Sequence, residues 1–266
     1  MSSPQGPYAF YRPGERVERL EDHIVRGLEV IENYYLEEGY QHYVASRLQT
    51  LGIEVGPAEV EGALVLSYAY HDIAKAAEPY QSSIMNEHGA PGHEVVSAYV
   101  IYVVLGVGLM RLPEPLAWAC VKAVALHMGA MRESPDRTID ESISKILKLA
   151  HHDAFTMSSD VVSWFNSLLE RHWHIDGLPP PKLPSREFAI PMRDLKLFVA
   201  RHLSPRLSGS SKFNAEDLAT LLLLHSLLVA DEMAVARNTG REPRRWAKYF
   251  IDSVKIARRY RREIHE

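Results

Sequence analysis

The sequence predicts an all-α fold, a helical bundle, and three observations carry that prediction. Apolar residues recur at helical spacing in one segment after another. Alternating β-branched runs bounded by turns, the mark of strands, do not recur. Glycines, prolines and capping residues fall where helices of ordinary length would start and stop.

A first helix is predicted from about Arg19 to Gly39. A second runs from about Pro57, a residue suited to a first turn, to Ala77, with Pro79 beyond its end. Gly89 to Gly92 reads as a loop. A third helix starts near His93 and stops near Gly106 or Gly108, and a fourth opens at Pro113 or Pro115 and ends before Gly129. Further helical segments fall near Asp140–His152 and Asp160–His172. Leu178–Pro184 is a proline-rich loop, and residues 178–211 as a whole read as a loop-rich insertion or lid. Asn214 suits an N-cap, with Glu216 and Asp217 in the first turn, for a helix reaching about Arg237. A last, basic helix covers roughly Pro243–Ile264. The 266 residues show no internal repeat and suit a single domain, 1–266.

Composition narrows the functional classes. Hydrophobic residues make up 46% and charged residues 24%, enough for a real core. The formal net charge of -4 does not advertise nucleic-acid binding, so any such contact must come from a local patch. A single cysteine, Cys120, excludes a disulfide framework and a Cys-based zinc site within one chain. The N-terminal segment has no apolar signal core. The apolar stretches around Val95–Met110 and Leu221–Ala230 are interrupted or short for a bilayer. The chain therefore reads as cytoplasmic, with no membrane contact. Histidine, with thirteen copies, is the plentiful metal-capable residue.

Several of these histidines, and one aspartate, lie on otherwise apolar helix stripes. His23 is in line with Gly27, Val30 and Tyr34. His71 continues the stripe of Leu64 and Tyr68, and Asp72 that of Val65 and Ala69, so two adjacent polar residues enter a buried helix end. His93 aligns with Ser97, Val100 and Val104; His127 with Leu116, Cys120 and Ala123; Asp231 with Leu224, Leu228 and Val235. A lone histidine on an apolar face is more often a hydrogen-bonded core residue than a ligand, and a lone aspartate more often a salt-bridge partner. Five helices each turning an imidazole or carboxylate inward are explained economically by one shared metal site, because a buried unpaired charge costs several kcal/mol. Nitrogen and oxygen donors suit Mg, Mn, Fe, Co, Ni or Zn.

The string YHDIAK, Tyr70 to Lys75, resembles the signature of the HD superfamily of metal-dependent phosphohydrolases. The order His23, His71-Asp72, His93, His127, Asp231 matches that family's ligand order. The segments LEDHIVRGLEVI, HDIAKAAEPYQ, GHEVVSAYV, ALHMGAMR and LLVADEMAVAR resemble, more narrowly, the HD nuclease of type I CRISPR–Cas systems in its stand-alone, helicase-free form. No helicase phosphate-binding loop is present. The resemblance runs from about Tyr8 to Phe250 and is weakest over about 136–211.

The resemblance implies hydrolysis of phosphodiester bonds in single-stranded DNA during CRISPR interference, with one or two divalent ions (Mg, Mn, Co, Ni or Fe). It implies as partners the CRISPR helicase subunit and the crRNA-guided surveillance complex. Asp72 would bridge two ions, His23, His71 and Asp231 completing one side and His93 and His127 the other. Lys75, one turn after His71, would neutralise a phosphate oxygen. Met128 stands where this branch often carries a second histidine, which puts the second ion in question; His88 is a candidate replacement. Asp153, in the His151-His152-Asp153 run, is the alternative late ligand, although VADEMAVAR matches the family's last motif better. Arg237, Arg241, Arg244 and Arg245 open a C-terminal segment, 237–266, with ten basic against four acidic residues, a local charge of +6 suited to phosphates or to a partner subunit. The competing functions are a nucleotide-directed HD phosphohydrolase and a non-catalytic, metal-stabilised recruitment subunit.

Overall fold

The computed structural model describes residues 6–107, 112–130, 144, 146, 153–184, 186–207 and 213–254. The chain opens with an antiparallel hairpin, β1 (Tyr8–Arg12) and β2 (Arg16–Arg19), which pairs Phe10 with Glu18 and Arg12 with Arg16. Helix α1 (Leu20–Ile31) follows at once, loosens into a π-helical turn at Glu32–Leu36, and is stopped by Gly39 at φ 75°. Gly39 takes the left-handed conformation without the steric penalty a side chain would bring, and α2 (Tyr40–Gln49) starts after it.

Helix α3 (Pro57–Tyr70) begins as predicted, with Pro57 at its first position and Glu59 Oε2 accepting from the Gly56 N–H at 3.0 Å. Every residue from Gly62 to Tyr70 is buried, so this helix is central. It ends earlier than the predicted Ala77. His71 caps it, Asp72 leaves helical geometry at φ -112° and ψ 4°, and a 3-10 turn covers Ile73–Ala76. The break has a consequence for the site. Neighbours in a continuous helix point about 100° apart; with the helix broken at Asp72, both side chains face one place.

Helix α4 (Tyr80–Met85) is short. Helix α5 starts at His93, as predicted, and runs to Val107; α6 (Glu114–Ala130) lies beside it. The helix predicted near Asp140–His152 lies outside the described residues, apart from 144 and 146, which are helical. Strand β3 (Ala154–Met157) pairs antiparallel with β4 (Phe188–Pro191), and α7 (Ser159–His172) follows β3, with Ser158 Oγ capping the Val161 N–H.

The stretch 178–211 is not simply a loop-rich insertion. It supplies β4, α8 (Met192–Phe198), a π-helical turn at Val199–Leu203 and α9 (Ser204–Leu207). Leu195, Phe198 and Leu203 are buried, and the Phe198 ring packs on Tyr99 and Tyr102 of α5. α8, the π-helical turn and α9 run on without a break over 192–207 and bury Met192, Leu195, Phe198, Val199 and Leu203 at helical spacing, so the signal is present in a stretch read as loop for its prolines, whereas four-residue β4 is too short to show a period.

Helix α10 (Ala215–Thr239) is capped as predicted, Asn214 and Asp217 exchanging side-chain to backbone bonds at 2.9 and 3.2 Å, and is ended by left-handed Gly240. It is long and apolar enough to cross a membrane, contrary to the reading of its apolar stretch as too short, yet it packs inside the bundle against α1, α3 and α6. Residues 245–254 form α11; the rest of the predicted last helix lies outside the described residues. The core is therefore helix on helix, with the two small sheets at its margins.

Candidate metal centre

Six side chains from five helices meet in the core. His23 comes from α1, His71 and Asp72 from the broken end of α3, His93 from the start of α5, His127 from the last turn of α6 and Asp231 from α10. Asp72 is central. Its Oδ1 lies 2.8 Å from His93 Nε2 and 3.8 Å from His127 Nε2, and its Oδ2 lies 3.5 Å from both His23 Nε2 and His71 Nε2. Asp231 Oδ1 is 3.1 Å from His23 Nε2 and 3.8 Å from His71 Nε2. His23, His71 and Asp72 form one compact donor group, and Asp72, His93 and His127 a second, with Asp72 shared.

The orientation of the imidazoles is set by their far nitrogens. Nδ1 of His71, His93 and His127 each donates to the backbone carbonyl three residues earlier: Tyr68 at 2.6 Å, Ala90 at 2.6 Å and Val124 at 2.7 Å. His23 Nδ1 donates to Glu18 Oε1 at 2.9 Å. Carbonyl and carboxylate oxygens only accept, so all four rings carry their proton on Nδ1 and turn an Nε2 lone pair inward. His23 Nε2 and His71 Nε2 then face each other at 3.3 Å with no proton between them. Asp72 Oδ1 and His93 Nε2, although close, do not meet hydrogen-bond geometry and have no other partner. Four lone pairs and two carboxylates crowded out of water repel one another unless cations lie among them. These buried His and Asp groups could hold a divalent metal, and the mixed nitrogen and oxygen donor set fits the site that the tandem His-Asp signature implies.

Electrostatics agree with an ionised core. Burial pushes the Asp72 carboxyl up, but Lys75 and the imidazoles of His71 and His93 outweigh it and hold Asp72 well below the usual carboxylate range. Asp231 is likewise lowered, the neighbouring His23 and His71 rings outweighing burial. Burial, reinforced by the neighbouring imidazoles, pushes His127 down to about 4 and keeps it neutral, the form in which it can act as a donor.

Lys75 sits 2.5 Å from Asp72 Oδ2, engaged with the carboxylate rather than open to solvent. Asp231, and not Asp153, stands in the cluster; Asp153 is exposed at the edge of β3. His88 is exposed, and Met128 is half-buried directly after His127. Of the predicted basic residues, none is brought to the cluster by a contact. Arg237 pairs with Glu29 at 3.2 Å. Arg241 grips buried Glu232 at 2.7 and 2.9 Å, and the Arg244 backbone N–H donates to Glu232 at 2.8 Å, closing the turn after α10. Arg245 is exposed at the start of α11.

Glu18 escapes sequence reasoning. It lies on β2 beside exposed Val17, an inverted pattern that acquires meaning only once the hairpin folds back on α1. Its carboxylate is buried, holds His23, and also accepts from the Asn238 side chain and pairs with Arg16.

No protein-family model matches the chain, and no curated protein does. Among solved structures the chain is similar to the CRISPR-associated Cas3 HD domain protein from Methanocaldococcus jannaschii. Identity is 20%, the TM-score is 0.47, and the match covers 82% of this chain and 98% of that one.

Proposed function

We propose that this chain is an HD-type metal-dependent phosphohydrolase, and that it acts as the stand-alone nuclease of a type I CRISPR–Cas system on single-stranded DNA. The carrying observation is the sharing of Asp72 between two buried donor groups, each completed by imidazoles whose far nitrogens are clamped. The quoted motif strings supply the narrower reading, including the helicase subunit and the guided surveillance complex as partners.

His23, His71, Asp72 and Asp231 would hold one divalent ion, and Asp72, His93 and His127 a second, drawn from Mg, Mn, Co, Ni or Fe. Such ions make a water nucleophilic near neutral pH and stabilise charge on a phosphate. The protein's own work is to present six unprotonated donors in fixed orientation and to exclude bulk water from all but one side of them. Asp231, with 14% of its side chain exposed, marks that side. Lys75 holds the Asp72 carboxylate and places a positive charge beside the phosphate. Among the C-terminal arginines, exposed Arg245 is best placed to reach a DNA backbone, followed by the Arg244 side chain, which is 57% exposed though it pairs loosely with Glu232 at 3.6 Å; Arg237 and Arg241 are held in closer ion pairs.

The test is cleavage of single-stranded DNA, beside free nucleotides, by metal-stripped protein reloaded with Mn, Mg, Co or Ni, in wild type and Asp72→Ala. DNA cleavage should appear on reloading. In the variant it should fall by more than the ~100-fold expected of losing an outer partner. Turnover of nucleotides alone would select a small-molecule phosphohydrolase, and activity that survives Asp72→Ala would end the catalytic assignment.

A further inference from the structure

Arg16 stands beside the cluster on a different element from every donor. It opens β2, opposite Arg12 in the hairpin. Its guanidinium lies over the Phe10 ring, 4.9 Å from the centroid, and Arg12 lies over the same ring at 5.7 Å. One Nη pairs with Glu18, the carboxylate that clamps His23, while the buried Nε–H has no hydrogen-bond partner. Burial disfavours the Arg16 charge; Asp231 and Asp72 both favour it, and Arg241 opposes it. Arg16 is therefore within electrostatic reach of both carboxylates of the site. A side chain 26% exposed still meets solvent.

These facts describe a cation held ready on the rim. A guanidinium has five donors in a rigid fork matched to phosphate oxygens, and a single carboxylate does not use them all. The Phe10 ring sets its plane, as an aromatic seat does for a cation. Glu18 ties Arg16 and His23 to one carboxylate, so an anion gripped by Arg16 would lie in fixed register with the donors, the arrangement that positions a reacting group. Among the described residues, two other cations near the cluster, Lys75 and Arg241, are engaged by Asp72 and Glu232.

We infer that Arg16, seated on Phe10, is a substrate-binding residue that grips a backbone phosphate of a single-stranded nucleic acid at the rim of the His/Asp cluster. This rests on the phosphodiesterase reading above and names a residue that the motif strings do not contain.

The test compares full-length wild type, Arg16→Met and Arg16→Gln by three measurements. These are steady-state cleavage of oligothymidylate with Mn, salt-dependent anisotropy of a labelled oligothymidylate in EDTA, and bound manganese. Both variants should raise KM about tenfold with kcat unchanged, lower the slope of log affinity against log salt by about 0.7, and keep wild-type manganese. Wild-type KM and salt slope in the variants overturn the inference. Lost manganese with an unaltered slope also overturns it, because Arg16 would then only brace Glu18. Should Arg16→Met fail to fold, Arg16→Gln, which keeps a donor for Glu18, carries the same readings; failure of both makes Arg16 a fold-holding residue and overturns the inference. If wild type neither cleaves nor binds oligothymidylate, the phosphodiesterase reading itself has failed. If it does both and the variants match it, only the assignment of Arg16 has failed.

Discussion

Glu18→Gln removes one charge from the centre's support and almost nothing from its volume. Glu18 Oε1 lies 2.9 Å from His23 Nδ1, and both side chains are nearly sealed, at 1% and 3% exposure. The carboxylate fixes the His23 tautomer and raises the basicity of the Nε2 that faces His71 and Asp231. A glutamine can offer its oxygen to the same N–H, preserving shape without charge, or its amide, forcing the ring to turn. Loss of such an outer partner weakens metal binding by about 10–100-fold, equivalent to about 1.4–2.8 kcal/mol. The substitution conserves volume, so the fold should persist. Glu18→Ala is a poorer probe: it strands the His23 N–H, the Asn238 amide and Arg16 together, at a cost of about 3–5 kcal/mol. Calorimetric titration of Mn into metal-stripped wild type and Glu18→Gln, with thermal melts of both, measures the effect. Wild-type affinity in a folded variant would refute the reasoning, since it would show that His23 gains nothing from the carboxylate or is no ligand.

Two further expectations follow from the same geometry. Burial pushes both His127 and His225 down to about 4, neighbouring imidazoles adding to it at His127, whereas each takes a proton near about 6.5 once unfolded. Between those values the unfolded chain binds more protons, so the metal-free protein should lose stability as pH falls from about 6.5 to about 4 and hold steady above that window. The lowered carboxyls of Asp72 and Asp231 add to the acid loss. Urea midpoints across pH check this; a flat profile would contradict it, and His225→Phe should make the slope shallower by up to one proton while leaving metal affinity alone. Gly27→Ala should destabilise the chain by about 1–3 kcal/mol, because the added Cβ would sit 1.8 Å from the Tyr68 Oη and Cζ atoms in a fully buried ring. Tyr68 also bonds the His23 carbonyl at 3.3 Å and accepts from His71 Nδ1 through its own carbonyl, so manganese affinity should fall with the melting temperature. A melt unchanged from wild type would rule out this close packing.

The inward stripes were legible because local periodicity reports burial. The starts of α3 and α5 and the cap of α10 were equally legible, since Pro57, His93 and Asn214 act within one turn of themselves. The short strands were not, because hairpin pairing is fixed by what the strands pack against; the helical run over 192–207 does carry its spacing, in Met192, Leu195, Phe198, Val199 and Leu203, but the prolines around it made the stretch read as loop. The basic run at 237–245 looked like one surface. The fold divides it, since Glu29 and Glu232, distant or hidden in sequence terms, claim Arg237 and Arg241.

The sequence by itself determined the all-α class and pointed to His23, His71, Asp72, His93 and His127, with Asp231 preferred to Asp153 as the sixth, because a polar residue on an otherwise apolar helix stripe is turned into the core. Only the tertiary structure decided that Asp231 rather than Asp153 joins them, that Glu18 clamps His23, and that α3 breaks at Asp72 so that both members of the pair face the same point. The reason is physical. Periodicity fixes which way a side chain faces relative to its own helix, whereas meeting another side chain depends on how helices far apart in the chain cross, and that follows from packing across the whole core.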